Sequence, residues 1–85
     1  MEYKVIHLKE EGQAEPCGII KIDGQSFDFV TEKPELAALL RKVKQQGYVE
    51  RIHDLQPVKV RPDDSDFKMA LEEYLGNYRI RKSQQ

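Results

Sequence analysis

The chain has 85 residues, of which 39% are hydrophobic and 34% are charged, a length and composition typical of one soluble domain with no room for a second core. The net charge of −1 and the pI near 6.1 lack the usual mark of a basic nucleic-acid-binding domain, a pI above about 9. No apolar run approaches the roughly 20 residues that span a bilayer, and one cysteine excludes an internal disulfide, so we expect a cytoplasmic domain with no membrane partner.

The first predicted element is a strand over residues 3–9, which are rich in β-branched and aromatic types. Apolar residues occur at both the odd-numbered and the even-numbered positions of this segment, so the pattern does not indicate which face of the strand points into the core. Residues 10–17 are polar and contain Gly12 and Pro16, which predicts a loop.

The dipeptide Asp23-Gly24 stands between two runs of alternating apolar residues. It predicts a β-hairpin closed by a two-residue type I′ turn. Such a turn pairs Ile20 with Phe27. Because side chains alternate along a strand, four apolar residues then share one face of the hairpin: Ile20, Ile22, Phe27 and Phe29.

A first helix is predicted to start at Pro34, since proline needs no hydrogen-bond partner in the first turn. Apolar residues follow at the spacing i, i+3, i+4 and i+7, which gives one apolar face: Leu36, Leu39, Leu40 and Val43. Gly47 is expected to end the helix in a left-handed cap.

Two further strands and a second helix complete the chain. Residues 48–55 predict a strand, which Pro57 prevents from continuing. The alternation over residues 58–61 then predicts a short edge strand. Ser65 or Asp66 is expected to cap the second helix, which carries one apolar face: Phe67, Ala70, Leu71, Tyr74 and Leu75.

These elements predict a small two-layer α+β sandwich. We expect a largely antiparallel sheet of about four or five strands, with an N-terminal β-hairpin and two amphipathic helices on one face. Residues 1–85 form one domain, in which Tyr78 and Ile80 either join the sheet as a short strand or belong to a partly frayed tail over residues 78–85.

No residue pattern predicts an enzyme, a metal site or a cofactor. Cys17 has no basic neighbour in sequence to lower its pKa, and no two Cys or His residues have the close spacing of a zinc site. The carboxylates of Asp63, Asp64 and Asp66 are favoured as helix-capping groups over ligands for a divalent cation. A cleft that joined Cys17 to His53 and Asp54 remains an enzymatic alternative.

The hypothesis that we favour is a non-enzymatic protein-interaction module whose partner is a second copy or another protein. Its candidate contact residues are those that do not all fit within so small a core: Ile19, Tyr48, Tyr74 and Tyr78. Pairing of a strand edge is one expected mode of binding, and packing of the sheet face away from the helices is another.

The alternative is a nucleic-acid-associated domain. Its candidate phosphate contacts are the basic residues of the second half of the chain: Arg41, Lys42, Lys44, Lys59, Arg61, Arg79, Arg81 and Lys82. Tyr48 and Tyr78 could supply stacking surfaces for single-stranded bases. This hypothesis requires that the basic residues converge on one surface of the folded chain.

Overall fold

The computed structural model describes residues 1–10 and 15–83, so residues 11–14 of the predicted loop and 84–85 of the predicted tail lie outside the described residues. The elements in chain order are β1 Glu2–His7, a short 3₁₀ turn Leu8–Glu10, β2 Gly18–Asp23, β3 Ser26–Thr31, α1 Pro34–Gln46, β4 Val49–His53, β5 Gln56–Val60, α2 Phe67–Leu75 and β6 Tyr78–Lys82.

The chain folds as a small α+β protein with two helices and two antiparallel sheets. Four strands form a sheet of order β3-β2-β1-β6, and β4 pairs with β5 in a second sheet. The predicted largely antiparallel sheet of about four or five strands is therefore present as a four-stranded sheet, whereas the separate sheet of β4 and β5 was not predicted. Alternating apolar residues indicate that a segment is a strand, but they do not indicate which strand it pairs with. Residues 78–82 of the predicted tail pair with β1 as β6.

The turn between β2 and β3 differs from the predicted one. Asp23 pairs with Ser26, so that Gly24 and Gln25 form the turn, and Ile20 pairs with Phe29 instead of Phe27. The predicted register is thus wrong by two residues. Gly24 adopts a φ of 60° at the first turn position, where glycine carries no steric penalty. Because the error is an even number of residues, it leaves every side chain on its predicted face.

One hydrophobic core contains side chains from both helices and from strands of both sheets. The rings of Phe27 and Phe67 meet edge to face, with centroids 5.7 Å apart, and link the sheet to α2. Leu39, predicted on the apolar face of α1, is only partly buried against this core. The fully buried large side chains come from both helices and from strands of both sheets: Val5, Ile20, Leu36, Leu40, Val43, Val49, Phe67, Leu71 and Ile80.

The observed helix ends agree in part with those predicted from the sequence. Pro34 opens α1, and Gly47, with a φ of 85°, donates its N–H to Val43 and ends the helix as predicted. Asp66 stands at the N-cap of α2, but its side chain makes no capping hydrogen bond. The carboxylate of Asp64 instead accepts a 2.9 Å hydrogen bond from the backbone N–H of Asp66. The Asp64 carboxylate therefore helps to fix the backbone that leads into α2.

A helix side chain reaches each outer edge of the four-stranded sheet. Along β6, the backbone N–H of Ile80 donates a 2.8 Å hydrogen bond to the carboxylate of Glu72 from α2. Along β3, Lys44 from α1 pairs with Asp28. Since α1 packs on the core face and Asp28 alternates onto the other face, the Lys44 side chain passes the outer edge of β3. Charged groups thus protect both edges against pairing with another strand.

We expect Glu72→Ala to destabilise the fold by about 1–3 kcal/mol, because it leaves the partly buried N–H of Ile80 without its acceptor. Urea unfolding followed by circular dichroism measures the change in the free energy of unfolding. Glu72→Gln is the matched control, since its amide oxygen can still accept the hydrogen bond. Equal losses for the two variants would show that the hydrogen bond contributes nothing.

Candidate functional site

Residues 49–60, made up of β4, a two-residue turn and β5, form an arm that projects from the body of the protein. Val49 and Val60 pair at its base and are almost fully buried in the core. Beyond them every residue of the arm is exposed except Arg51, which is half-buried. The whole molecule measures 37 × 25 × 23 Å.

The tip of the arm is a turn in which both central residues have left-handed backbone. Asp54 has a φ of 51° and Leu55 a φ of 64°, the pattern of a type I′ turn, which strongly prefers Asn-Gly or Asp-Gly. A left-handed conformation costs a non-glycine residue roughly 1–2 kcal/mol. The side chain of Leu55 is 95% exposed, so no burial in the isolated chain offsets this cost.

The two faces of the arm carry different side chains. On the outer face, Glu50 lies opposite Lys59 and Ile52 lies opposite Pro57. Pro57 fits this ladder where its nitrogen points away from β4, so that no ladder hydrogen bond is lost. Together with the tip, the two faces expose three of the large hydrophobic side chains of the described residues: Ile52 at 64%, Leu55 at 95% and Val58 at 40%.

The inner face of the arm is held against the body. Val49 and Val60 enter the core from this face, and the guanidinium of Arg51 donates a 3.3 Å hydrogen bond to Glu73 of α2. Val58 lies opposite Arg51 on the same face. The body therefore occupies the base of the inner face.

A shallow depression, which we call the tyrosine groove, lies where the outer face of the arm meets the helices. It encloses about 220 Å³ and is lined by Lys42, Gln46, Tyr48, Glu50 and Tyr74. The ammonium group of Lys59 lies 4.9 Å from the centre of the Tyr48 ring. Pockets that bind small molecules usually enclose about 300–1,000 Å³, so the groove is better suited to contact with a larger partner.

The structure brings together two of the four residues predicted as a protein interface. Tyr48 and Tyr74 both line the tyrosine groove, and the Tyr74 hydroxyl donates to the backbone carbonyl of Leu39. Ile19 is half-buried on the other sheet, on the face turned away from the core. Tyr78 belongs to the core and packs edge-on against His7, with ring centroids 5.1 Å apart.

The predicted phosphate contacts do not converge on one surface. Lys42 and Lys59 meet at Tyr48, and Lys44 forms an ion pair with Asp28. The basic residues of β6 lie at the opposite edge of the sheet from β3, against which α1 packs. The remaining basic residues of the set do not line the tyrosine groove: Arg41, Arg61, Arg79, Arg81 and Lys82.

The residues considered for catalysis or metal binding either lie apart from one another or make contacts that belong to the fold. Cys17 is half-buried against the core, and its N–H donates to the carbonyl of Val5. His53 is exposed on the arm, 3.5 Å from the carboxylate of Asp54. Within residues 1–10 and 15–83, no group of three or more Cys, His, Asp or Glu side chains is arranged to hold a metal ion.

The sequence pattern does not single out the exposed apolar residues of the arm. It predicts Ile52 and Leu55 in one strand and Val58 in a separate edge strand. The available signal is weak, since Val58 and Val60 alternate after Asp54-Leu55 but Val49 and Ile52 before it are three positions apart. Leucine at the second turn position hid this signal, because type I′ turns favour glycine there.

Comparisons of the chain with known protein families, with curated proteins and with solved structures find no match. In the part of the chain that the structure describes, no helix is both long and apolar enough to cross a membrane. A function must therefore be argued from the geometry of the arm and the tyrosine groove.

We expect Leu55→Gly to stabilise the isolated chain by about 1 kcal/mol, because glycine adopts the left-handed conformation without steric cost. Thermal and urea unfolding at low protein concentration measure this gain. Leu55→Asn is the companion variant, since asparagine also tolerates this conformation. A loss of stability in both variants would contradict the assignment of strain to Leu55.

Proposed function

We propose that the chain is a small non-enzymatic protein-interaction module that binds a second copy of itself through the arm. In this proposal the body is a two-layer sandwich, with both helices on one face of the sheet, and it serves as a rigid support. The observation that carries the proposal is Leu55, a large apolar side chain that is 95% exposed in a backbone conformation that disfavours it.

Leu55 is poorly explained by the stability of the isolated chain. It has the wrong backbone preference for its turn, and it gains no burial in return. Backbone strain of this kind persists mainly at sites of binding or catalysis. Burial of Leu55 by a partner supplies the missing compensation.

The apolar content of the arm supports a weak and reversible association. Burying Leu55 and Ile52 contributes about 1.5–3 kcal/mol for each side chain, and a symmetric dimer buries both twice. Association itself costs an estimated 4–15 kcal/mol in lost translational and rotational freedom. Because this gain of about 6–12 kcal/mol exceeds only the lower part of that cost, we expect a weak dimer with a dissociation constant no tighter than about 1 μM.

Sedimentation equilibrium over a range of about 10 μM to 1 mM tests the proposal. We expect wild type to shift from the 9.9 kDa chain towards a dimer as its concentration rises. Leu55→Gly removes one apolar contact from each copy and raises the dissociation constant at least about tenfold. The variant keeps or gains stability, so a loss of association is not a loss of folding.

Val30→Ser is the matched control, since Val30 is 70% exposed but lies on β3, outside the arm. We expect it to leave the dimer unchanged. A wild-type chain that stays monomeric at about 1 mM, or equal weakening by Leu55→Gly and Val30→Ser, would contradict the proposal.

A second candidate function is binding of single-stranded nucleic acid at the tyrosine groove. It is favoured by one arrangement, the approach of Lys42 and Lys59 to the ring of Tyr48. Aromatic rings that stack on bases, with cations beside them for phosphates, are typical of such sites. Glu50, in the same groove, opposes this function.

Titration with a fluorescent single-stranded oligonucleotide at about 50 mM salt tests this candidate. We expect Lys42→Glu to weaken binding at least tenfold and Lys82→Glu, outside the groove, to change it little. Absence of binding by wild type at this low salt would remove the candidate, because phosphate contacts are strongest there.

A further inference from the structure

We infer that the arms of two copies pack through their outer faces about a two-fold axis that runs lengthwise along the arms. This inference rests on the proposed function and adds the surface and the symmetry of the contact. It sets Glu50 of each copy against Lys59 of the second copy.

Edge-to-edge pairing of strands is disfavoured at three edges. Glu72 accepts the outward N–H of Ile80 on β6, and Lys44 passes the edge of β3 to reach Asp28. On β5, Pro57 has no N–H to offer at the position that points away from β4. A contact through a face is therefore favoured over strand pairing at these three edges.

The outer face of the arm is the accessible one. The inner face is held at its base by the buried pair of Val49 and Val60 and by the hydrogen bond from Arg51 to Glu73. The outer face presents one charged pair and one apolar pair of side chains beside the exposed Leu55. At its base this face borders the tyrosine groove, where Lys59 approaches the Tyr48 ring, and from Ile52 and Pro57 to the tip it is exposed.

The register of the arm makes this face complementary to itself. Glu50 lies directly across the ladder from Lys59, and Ile52 directly across from Pro57. A lengthwise two-fold axis brings β4 of one copy over β5 of the other. Glu50 then meets Lys59, Ile52 meets Pro57, and the two Leu55 side chains come together at the tip.

A two-fold axis across the arm gives a poorer contact. It brings β4 over β4 of the second copy. Glu50 then meets either Glu50 or the apolar Ile52, depending on the register, and both contacts are unfavourable because like charges repel and an unpaired charge loses its hydration. The charge pattern thus favours the lengthwise axis and identifies a second copy as the occupant.

Two charge reversals test this arrangement. In Glu50→Lys alone, lysine meets Lys59 of the second copy, and in Lys59→Glu alone, glutamate meets Glu50. Sedimentation equilibrium of each variant by itself is expected to give a dissociation constant at least about tenfold above wild type, since like charges face each other twice. An equimolar mixture restores opposite charges at both contacts and is expected to dimerise within about threefold of wild type.

Recovery in the mixture distinguishes the contact between copies from the pairing within one arm. Each single variant carries the same repulsion inside its own arm whether or not the other variant is present, so an intramolecular effect cannot recover on mixing. The matched control is a second cross-strand pair of opposite charge, Glu2 and Lys21. Glu2→Lys and Lys21→Glu are expected to dimerise as wild type does, both alone and mixed.

The outcomes separate the inference from the proposed function. Weakening by Leu55→Gly without recovery in the mixture of charge variants overturns the lengthwise axis and leaves the arm as the interaction site. Weakening by the control reversals at Glu2 and Lys21 also overturns it. A wild-type chain that never dimerises overturns both proposals. Weakening by each single charge reversal, with recovery only when the two variants are mixed, supports both.

Discussion

The left-handed turn at Asp54 and Leu55 is the constraint on which the rest of the arm depends. Because two residues, and no more, connect β4 to β5, the turn fixes the pairing of His53 with Gln56 and of every pair down to the base. The same register buries Val49 and Val60 on one face. A shift by one residue would expose that pair and turn the charged side chains towards the core.

The body supplies most of the core, whereas the arm carries exposed apolar side chains. The four-stranded sheet and the two helices supply most of the core, so the arm contributes little to it beyond Val49 and Val60. An isolated two-stranded ribbon is only marginally stable in water. Attachment through this buried pair, and through Arg51 and Glu73, lets the arm keep exposed apolar side chains without loss of its structure.

Local patterns predicted the helices well and the strand pairing poorly. Pro34 and Gly47 mark the ends of α1 because their backbone preferences act within a single turn. The partner of a strand depends on contacts distant in sequence, and alternation alone carries no information about them. At Gly24 even the local signal was ambiguous, since glycine suits the first position of one turn type and the second position of another. At Leu55 the residue type contradicts the conformation, and no sequence rule could have located the tip.

Pro57 has a consequence for the size of any assembly. A ladder of strands grows without limit when each added strand offers a new edge with donors and acceptors, which is how fibres form. In the arm the outward edge of β5 lacks a donor at Pro57, and a symmetric contact between outer faces consumes the only surface that it uses. In the proposed arrangement growth would stop at two copies, so an apolar tip on each chain would not lead to polymerisation.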